Sequence, residues 1–312
     1  MNFRPATSQD YVAIADWENQ RSPEWPTSAD RVHHQESTWP QSAYRRNWIV
    51  EAVGRGAIGF VTLSYALWLP HPGRYIARIV PCGGMTVEEI KACLAFLRRE
   101  ATEVQARELL IPVRSDDPNL ANVILNSDFP EIESAVRLER QLSVADAEVF
   151  AKTDLGDIRC SNFETLEAEG MAWMRPLYEA TLEMTKDIPT QFEVEDFSYE
   201  AFQSQIGNPE SAPRNLMFAA LDGNKIVAYT RYEANAVDPT RIQTAFGGTV
   251  RSHRRQGIMT ALKHFAFAQL YNSGARTVFS ANLKNNPMLG LNESLGFKEI
   301  FRAAVFSIAL EP

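Results

Sequence analysis

Residues 247–263 read GGTVRSHRRQGIMTALK, and the fold predicted for the second half of the chain rests on them. A β-like segment at 241–250 leads into a basic turn that contains Gly257, and an amphipathic helix is predicted over 255–271. The first backbone amides of a helix have no intrahelical acceptor, and the helix dipole places about half a positive charge at that end. Diphosphate oxygens accept hydrogen bonds from such amides, so the stretch predicts an anion-binding turn.

The side chains of this turn favour the same function. Arg254 and Arg255 would add charge-assisted hydrogen bonds to a phosphate, and Gly257 lacks the Cβ that blocks close approach to the backbone. The alternative is a solvated basic turn that simply begins a surface helix, and a bare Arg-x-x-Gly favours that alternative. The downstream sequence favours the anion site, because Asn285 and the Leu-Gly-Phe at 295–297 lie where a second wall would form.

The remaining elements of this half are predicted from the same patterns. Gly274 ends the long helix, a strand follows at 276–281, and a short helix covers 287–294. Strands that alternate with packed helices indicate a layered α/β or α+β domain.

The first half of the chain is similar to the second and indicates a divergent repeat. The corresponding segments are 3–6 and 158–161, 48–63 and 216–232, and 119–129 and 286–297. Their offset drifts from roughly 155 to roughly 170 residues, which is the scale of a duplicated domain. The drift predicts a longer helical region in the second copy. We expect two domains, over 1–153 and 154–312, with the boundary near Asp154.

These motifs resemble the signature of the GNAT superfamily of acyl-CoA N-acyltransferases, in which Arg/Gln-x-x-Gly-x-Gly/Ala is followed by Asn and a Leu-Gly-Phe ending. The matching residues are 254–259, Asn285 and 295–297. The resemblance implies an α/β (α+β) fold of two tandem GNAT-like domains, similar in arrangement to mycothiol synthase. Each domain is expected to be a mixed, mostly antiparallel sheet flanked by helices. The first copy is expected to be degenerate and without cofactor.

The resemblance implies acetyl-CoA as the acyl donor, bound by a set of residues in the second domain. These are Gly248, Thr249, Arg254, Arg255, Gln256, Gly257, Ile258, Met259, Thr260 and Asn285. Met259 stands where the family prefers Gly or Ala, so its side chain is expected to intrude near the turn. Many members carry a tyrosine that protonates the leaving thiolate; this chain has Asn292 there, whose amide is predicted to hydrogen-bond the sulfur.

The remaining roles are polarisation of the acyl carbonyl, removal of the amine proton and binding of the acceptor. A backbone amide near Thr249 is expected to polarise the acyl carbonyl, as in the family. Glu233 is the candidate base for the attacking amine, and the alternative is a solvated carboxylate at a strand end. His253 is a second candidate base by residue type, because histidine is the side chain suited to proton transfer near neutral pH, but it adjoins the turn, which favours structural support or phosphate contact. The acceptor is predicted to be a small-molecule amine, in a pocket shaped by residues 178–202 that include Met184, Asp187, Pro189 and Phe192.

The corresponding turn of the first half has a different sequence. Residues 80–86 read VPCGGMT and lack Arg-x-x-Gly. Thr86 with Glu89 predicts a capping box at the start of a helix. We therefore expect this copy to be structural, with the alternative that it covers part of the acceptor site.

Composition excludes several other functions. A net charge of −8 and a pI near 5.3 argue against nucleic-acid binding through residues 251–255, although that alternative stays open. No apolar run reaches the roughly 20 residues of a membrane span, and the odd count of three cysteines favours a reducing compartment, so a cytoplasmic protein without membrane contact is expected. The five histidines show no zinc spacing. A non-catalytic acyl-CoA-binding or interaction protein is the main alternative to an acyltransferase.

Overall fold

The computed structural model describes residues 1–67, 71–82, 84–190 and 197–310. Its contacts divide the chain into two compact units, one made of residues 1–135 with 301–312 and the other of residues 136–300. Trp68, Gly83 and Phe192 lie outside the described residues.

The first unit is built around a mostly antiparallel sheet. Its elements are β1 (Asn2–Pro5), α1 (Tyr11–Arg21), α2 (Ala29–Ser37), β2 (Arg45–Ala52), β3 (Gly56–Tyr65), β4 (Arg74–Pro81), α3 (Val87–Glu103), β5 (Glu108–Arg114) and α4 (Pro118–Leu125). The strands follow the order β1-β2-β3-β4-β5, and β5 is flanked on its other side by β12 (Lys298–Ala309). Only the β4–β5 pair of this sheet is parallel. Apolar residues of α3 and α4 pack on it to form the core.

The second unit repeats this plan with an additional helix. Its elements are β6 (Glu131–Gln141), α5 (Ala145–Ala151), β7 (Ile158–Asn162), α6 (Phe163–Ala168), α7 (Met174–Thr185), α8 (Tyr199–Gly207), β8 (Met217–Asp222), β9 (Lys225–Ala234), β10 (Arg241–Thr249), α9 (Ile258–Asn272), β11 (Thr277–Leu283) and α10 (Pro287–Ser294). The strand order is β6-β11-β10-β9-β8-β7. Three helices stand between β7 and β8 where α1 and α2 stand in the first unit, so the predicted longer helical region is confirmed.

The division of the chain differs from the boundary expected near Asp154. Residues 136–153 belong with the second unit, and residues from Phe301 onward belong with the first. The reason lies in two strands and one helix: β6 completes the sheet of the second unit and β12 that of the first. In α5, Phe150 packs on Phe265 with ring centroids 5.1 Å apart, and the buried Asp146 carboxylate pairs with Arg140 at 2.6 Å.

The β10–β11 pair opens part of the way along its length. The two strands are in parallel register only from Arg241 with Thr277 to Gln243 with Phe279. Beyond that point β10 stays paired with β9, after a bulge between Thr244 and Phe246. A bulge bends its strand, which accounts for the separation. The last residues of β10 and β11 therefore form the two sides of an opening in the sheet, called here the β10–β11 cleft.

Candidate functional site

The turn between β10 and α9 leaves a row of backbone N–H groups unpaired. A short 3-10 turn at Arg251–His253 leads to Arg255 and then to Gly257, which is the N-cap of α9. No side chain caps the helix, and the N–H groups of residues 255–260 donate no hydrogen bond to any described residue. An uncapped helix start of this kind offers its donors and the positive end of its dipole to an anion.

Gly257 is required by the backbone conformation. Its φ of 76° lies in the left-handed region, where a side chain is strained, and a Cβ built there would meet no atom within 4 Å. Arg255 also has a positive φ, 59°, without being glycine. Such non-glycine conformations cost on the order of 1 kcal/mol and cluster at ligand-binding sites.

The arginines of the turn have different partners. Arg254 donates to the Thr249 carbonyl at 2.9 Å and to the Asp187 carboxylate at 2.6 Å. Arg251 pairs with the same carboxylate, also at 2.6 Å. The hydrogen bond from Arg251, and after it the one from Arg254, holds the pKa of Asp187 well below its usual range. Arg255 is exposed and has no ion pair with any described residue. Arg255 is therefore the arginine available to an anion, whereas Arg254 serves first to hold the turn.

Two further side chains of the turn also brace it. The imidazole of His253 contacts Ser252 Oγ at 2.8 Å and the Asp222 carboxylate at 3.3 Å. Gln256 donates to the Ser252 carbonyl at 3.2 Å. His253 is thus held by the β8–β9 turn, in keeping with the structural alternative.

Met259 does not intrude on the turn, which corrects the sequence expectation. Its side chain is buried in the core of the second unit together with that of Ile258. Both residues lie on the inner face of the first helical turn, so their side chains pack inward while their backbone N–H groups stay free. Thr260, half-buried, completes this first turn.

Gly248 of β10 lies close to a methionine of α7. A Cβ at Gly248 would lie 2.9 Å from both Cγ and Sδ of Met184, so a larger residue there would require the methionine side chain to shift. At Gly247 the nearest atoms are the Thr230 hydroxyl at 3.5 Å and Met288 Cε at 3.9 Å. The predicted role of Gly248 in cofactor binding stays a prediction, but the room for a side chain there is limited by α7.

Asn292 lies at the centre of a buried polar network. Its side chain has no exposure, accepts from Lys263 Nζ at 2.7 Å and donates to Ser280 Oγ at 3.1 Å and Asn282 Oδ1 at 2.7 Å. Both N–H donors of the amide are used, so no donor is left for the predicted contact between Asn292 and a sulfur. The reason is the shortness of the asparagine side chain, which ends inside the core.

Lys263 itself is fully buried without a carboxylate partner among the described residues. Burial, and secondly the like charge of Arg140, lowers the pKa of Lys263 to about 7. Sequence analysis missed this residue. Lys263 precedes Ala266, Phe267 and Leu270 by three, four and seven residues, and all three are buried. This helical spacing is the sequence signal that Lys263 lies on the buried face of α9.

Glu233 lies near the base of the cleft. Its carboxylate accepts from Gln243 Nε2 at 3.2 Å and lies 3.6 Å from the Arg231 guanidinium. In the β9–β10 register Glu233 faces Gln243, whereas Thr249 faces Ala228. Six residues of strand span about 20 Å, so Glu233 and the Thr249 amide do not meet at one reacting atom. The backbone between them, at Phe246 and Gly247, is closer to both.

The other predicted residues are dispersed around this centre. Asn285 is exposed and makes no hydrogen bond to a described residue, while its neighbour Asn286 caps α10. Within the predicted acceptor region, Tyr178 packs against Phe197, Tyr199 and Phe202, and its hydroxyl donates to the Phe197 carbonyl.

Comparison with known families gives one match. Residues 176–297 match the model of the Acetyltransferase (GNAT) family. No curated protein sequence matches the chain significantly. Among the residues that the structure describes, no helix has the length and apolar character to cross a membrane.

Solved structures resemble the entire chain. A GCN5-related N-acetyltransferase from Sphaerobacter thermophilus aligns with 14% identity and a TM-score of 0.74, over 100% of this chain and 96% of that one. A tandem GNAT protein from the clavulanic acid biosynthesis pathway aligns with 16% identity and a TM-score of 0.69, over 100% and 99%. A GNAT-family acetyltransferase from Colwellia psychrerythraea aligns with 11% identity and a TM-score of 0.60, over 99% and 100%. The tandem GNAT-like fold is therefore confirmed, and the match to the GNAT family model lies within the second unit.

Proposed function

We propose, from the premise that residues 176–297 form a GNAT acetyltransferase domain, that the second unit transfers an acetyl group from acetyl-CoA to the amine of a small molecule. The observation that carries the proposal is the uncapped start of α9, where the N–H groups of residues 255–260 have no acceptor among the described residues. The first unit is proposed to be structural.

The residues at this helix start fit a diphosphate. Six successive N–H groups, the helix dipole and the unpaired guanidinium of Arg255 all favour negative charge. No acidic residue lies in the first turn of α9. The backbone of residues 255–260, with Arg255, would hold the pyrophosphate, and Asn285 would contact the arm that leads to the thioester.

The chemistry proposed for the cleft is direct acyl transfer. Acyl-CoA supplies the acyl group as an activated thioester. The amine nitrogen bonds to the carbonyl carbon, the carbon–sulfur bond breaks, and the sulfur keeps the electron pair. One proton leaves the amine, and one reaches the thiolate. The parted segment of β10, from Phe246 to Thr249, supplies backbone N–H groups that can polarise the carbonyl.

Glu233 is proposed to accept the amine proton through one water molecule. Its side chain is 43% exposed, so water reaches it, and Gln243 holds its carboxylate at the last residue pair before the two strands part. A base needs only hydrogen-bond reach, direct or through water, of the proton it removes.

Two measurements test the function. Calorimetry with coenzyme A and acetyl-CoA should show binding, and acetyl-CoA turnover with a panel of small amines should release free thiol. Binding without thiol release from any amine would favour the non-catalytic acyl-CoA-binding alternative. Absence of binding would contradict the proposed site itself, and salt-dependent binding of oligonucleotides would then favour the basic turn as a nucleic-acid contact.

A further inference from the structure

The buried network around Asn292 has a defined direction. A charged lysine ammonium carries three donors and no acceptor, so the atom that Lys263 Nζ contacts at 2.7 Å is an oxygen whenever Lys263 is charged. In that state the contact fixes Oδ1 of Asn292 toward α9 and its Nδ2 toward β11. The side chain of Asn292 then has one orientation.

The same argument continues to the next amide. Asn292 Nδ2 donates to Asn282 at 2.7 Å, so the atom that receives this hydrogen bond must be Oδ1 of Asn282. Ser280 Oγ lies 3.4 Å from the same oxygen. With its oxygen engaged, Asn282 keeps both N–H donors of Nδ2, which have no partner among the described residues.

Asn282 lies at the opening of the sheet. The register of β11 with β10 ends at Phe279, three residues before Asn282, so Asn282 is on the parted segment. Its side chain is half-buried, whereas Ser280, on the same face two residues earlier, is buried. Asn282 is thus the outer end of a polar chain whose inner end is Lys263.

We propose that Asn282 is the hydrogen-bond donor to the sulfur of bound coenzyme A, and that Lys263 is the positioning residue that gives Asn282 this polarity through Asn292. The inference rests on the proposed function and assigns a new residue to its site. Asn282 keeps its protons throughout: it stabilises the thiolate formed when the carbon–sulfur bond breaks, and water delivers the proton that neutralises the sulfur.

A direct test is the acidity of the thiol in the binary complex with coenzyme A, followed by ultraviolet thiolate absorbance. Asn282→Asp replaces the two donors by oxygen without a change of shape, and should raise the thiol pKa by about one unit relative to the wild type. Asn272→Asp, at the exposed far end of α9, adds the same charge and should leave the thiol unchanged. Equal thiol pKa values in the wild type and Asn282→Asp, with coenzyme A bound in both, would overturn the proposal.

The role of Lys263 is tested by coupling. Lys263→Met frees the Asn292 amide to rotate and should raise the thiol pKa in the wild-type background but not in Asn282→Ala. Lys263→Gln retains an N–H group toward Asn292. The thiol pKa in Lys263→Gln should therefore lie close to the wild-type value. Equal effects of Lys263→Met in both backgrounds would show that it acts through the core alone and would refute its positioning role. If Lys263→Met fails to fold, Lys263→Leu, which also removes the N–H group toward Asn292, is compared in the two backgrounds, with no effect expected in Asn282→Ala.

Turnover gives a second readout of the same assignment. We expect kcat to fall about 10-fold in Asn282→Ala and about 100-fold in Asn282→Asp, with the affinity for coenzyme A within about 3-fold of the wild type. A thiol shift with no acyl transfer to any amine would support Asn282 while contradicting the proposed function. Normal transfer by Asn282→Asp would contradict only the role of Asn282.

Discussion

The helices α3 and α9 follow equivalent strands in the two units, yet they begin in opposite ways. β4 and β5 are in parallel register only from Arg74 with Glu108 to Ile76 with Leu110, as β10 and β11 are over their first three pairs. At the start of α3, Thr86 Oγ1 accepts from the Glu89 N–H at 3.3 Å and Glu89 accepts from the Thr86 N–H at 2.8 Å. The predicted capping box is confirmed.

The difference in capping is the reason why we propose an anion site in the second unit and not in the first. The first turn of α3 carries the negative charges of Glu88 and Glu89, and Glu89 also accepts from the Thr86 N–H. The first turn of α9 has no acidic residue, and its N-cap is a glycine. The backbone N–H of Thr86 lowers the pKa of Glu89, so this hydrogen bond stabilises the charged carboxylate. The start of α3 is capped by its own side chains, whereas the start of α9 keeps backbone N–H groups without an acceptor among the described residues.

The ends of β5 and β11 also differ between the two units, in whether their polar side chains have partners. At the end of β5, the buried Arg114 pairs with Glu24 at 2.8 Å and with Asp116 at 2.7 Å, and its guanidinium lies 3.6 Å from the Phe301 ring centroid. At the end of β11, Asn282 keeps free donors. The first unit fills the region with its own ion pairs, which supports a structural role.

The largest expected effect comes from placing an acid at the open helix start. Gly257→Asp adds negative charge beside the free N–H groups and a side chain at a φ of 76°, so the affinity for coenzyme A should fall at least about 100-fold. Gly274→Asp, at a φ of 104° beyond the other end of α9, is the matched control and should bind normally. Unchanged affinity of Gly257→Asp by calorimetry would contradict the proposed site.

A smaller effect is expected from copying the cap of α3 onto α9. Thr260 occupies the position in α9 that Glu89 occupies in α3, so Thr260→Glu should weaken coenzyme A binding about 10-fold. Thr260→Gln has nearly the same shape without the charge and should lose little affinity. Similar losses in both variants would mean that shape, and not charge, separates the two helices.

Removal of the cap from α3 tests the other side of the comparison. Thr86→Ala should lower the free energy of unfolding by about 1 kcal/mol, measured by urea denaturation, because an N-cap hydrogen bond is lost. Coenzyme A affinity should not change. A second coenzyme A bound by Thr86→Ala would show that the cap alone had kept the first unit from binding it.

The smallest effect concerns the ion pairs behind the open turn. Asp187→Asn releases Arg251 and Arg254, which should raise the affinity for coenzyme A about twofold to threefold at low salt and less at high salt. Glu179→Gln, an exposed carboxylate of α7 paired with Arg175, is the control. A large loss of affinity in Asp187→Asn would instead show that this pair shapes the turn.

The sequence by itself determined the features that depend on neighbouring residues. The glycine turn before α9, the capping box of α3, the helix over Pro287–Ser294 and the repeat were all predicted, because caps, turns and periodic patterns are local. Three features became visible only in the tertiary structure. They are the assignment of β6 to the second unit and of most of β12 to the first, the inward side chain of Met259, and the network from Lys263 to Asn282. These features depend on contacts between residues far apart in the chain, and no local pattern specifies which distant partner will satisfy a buried polar group.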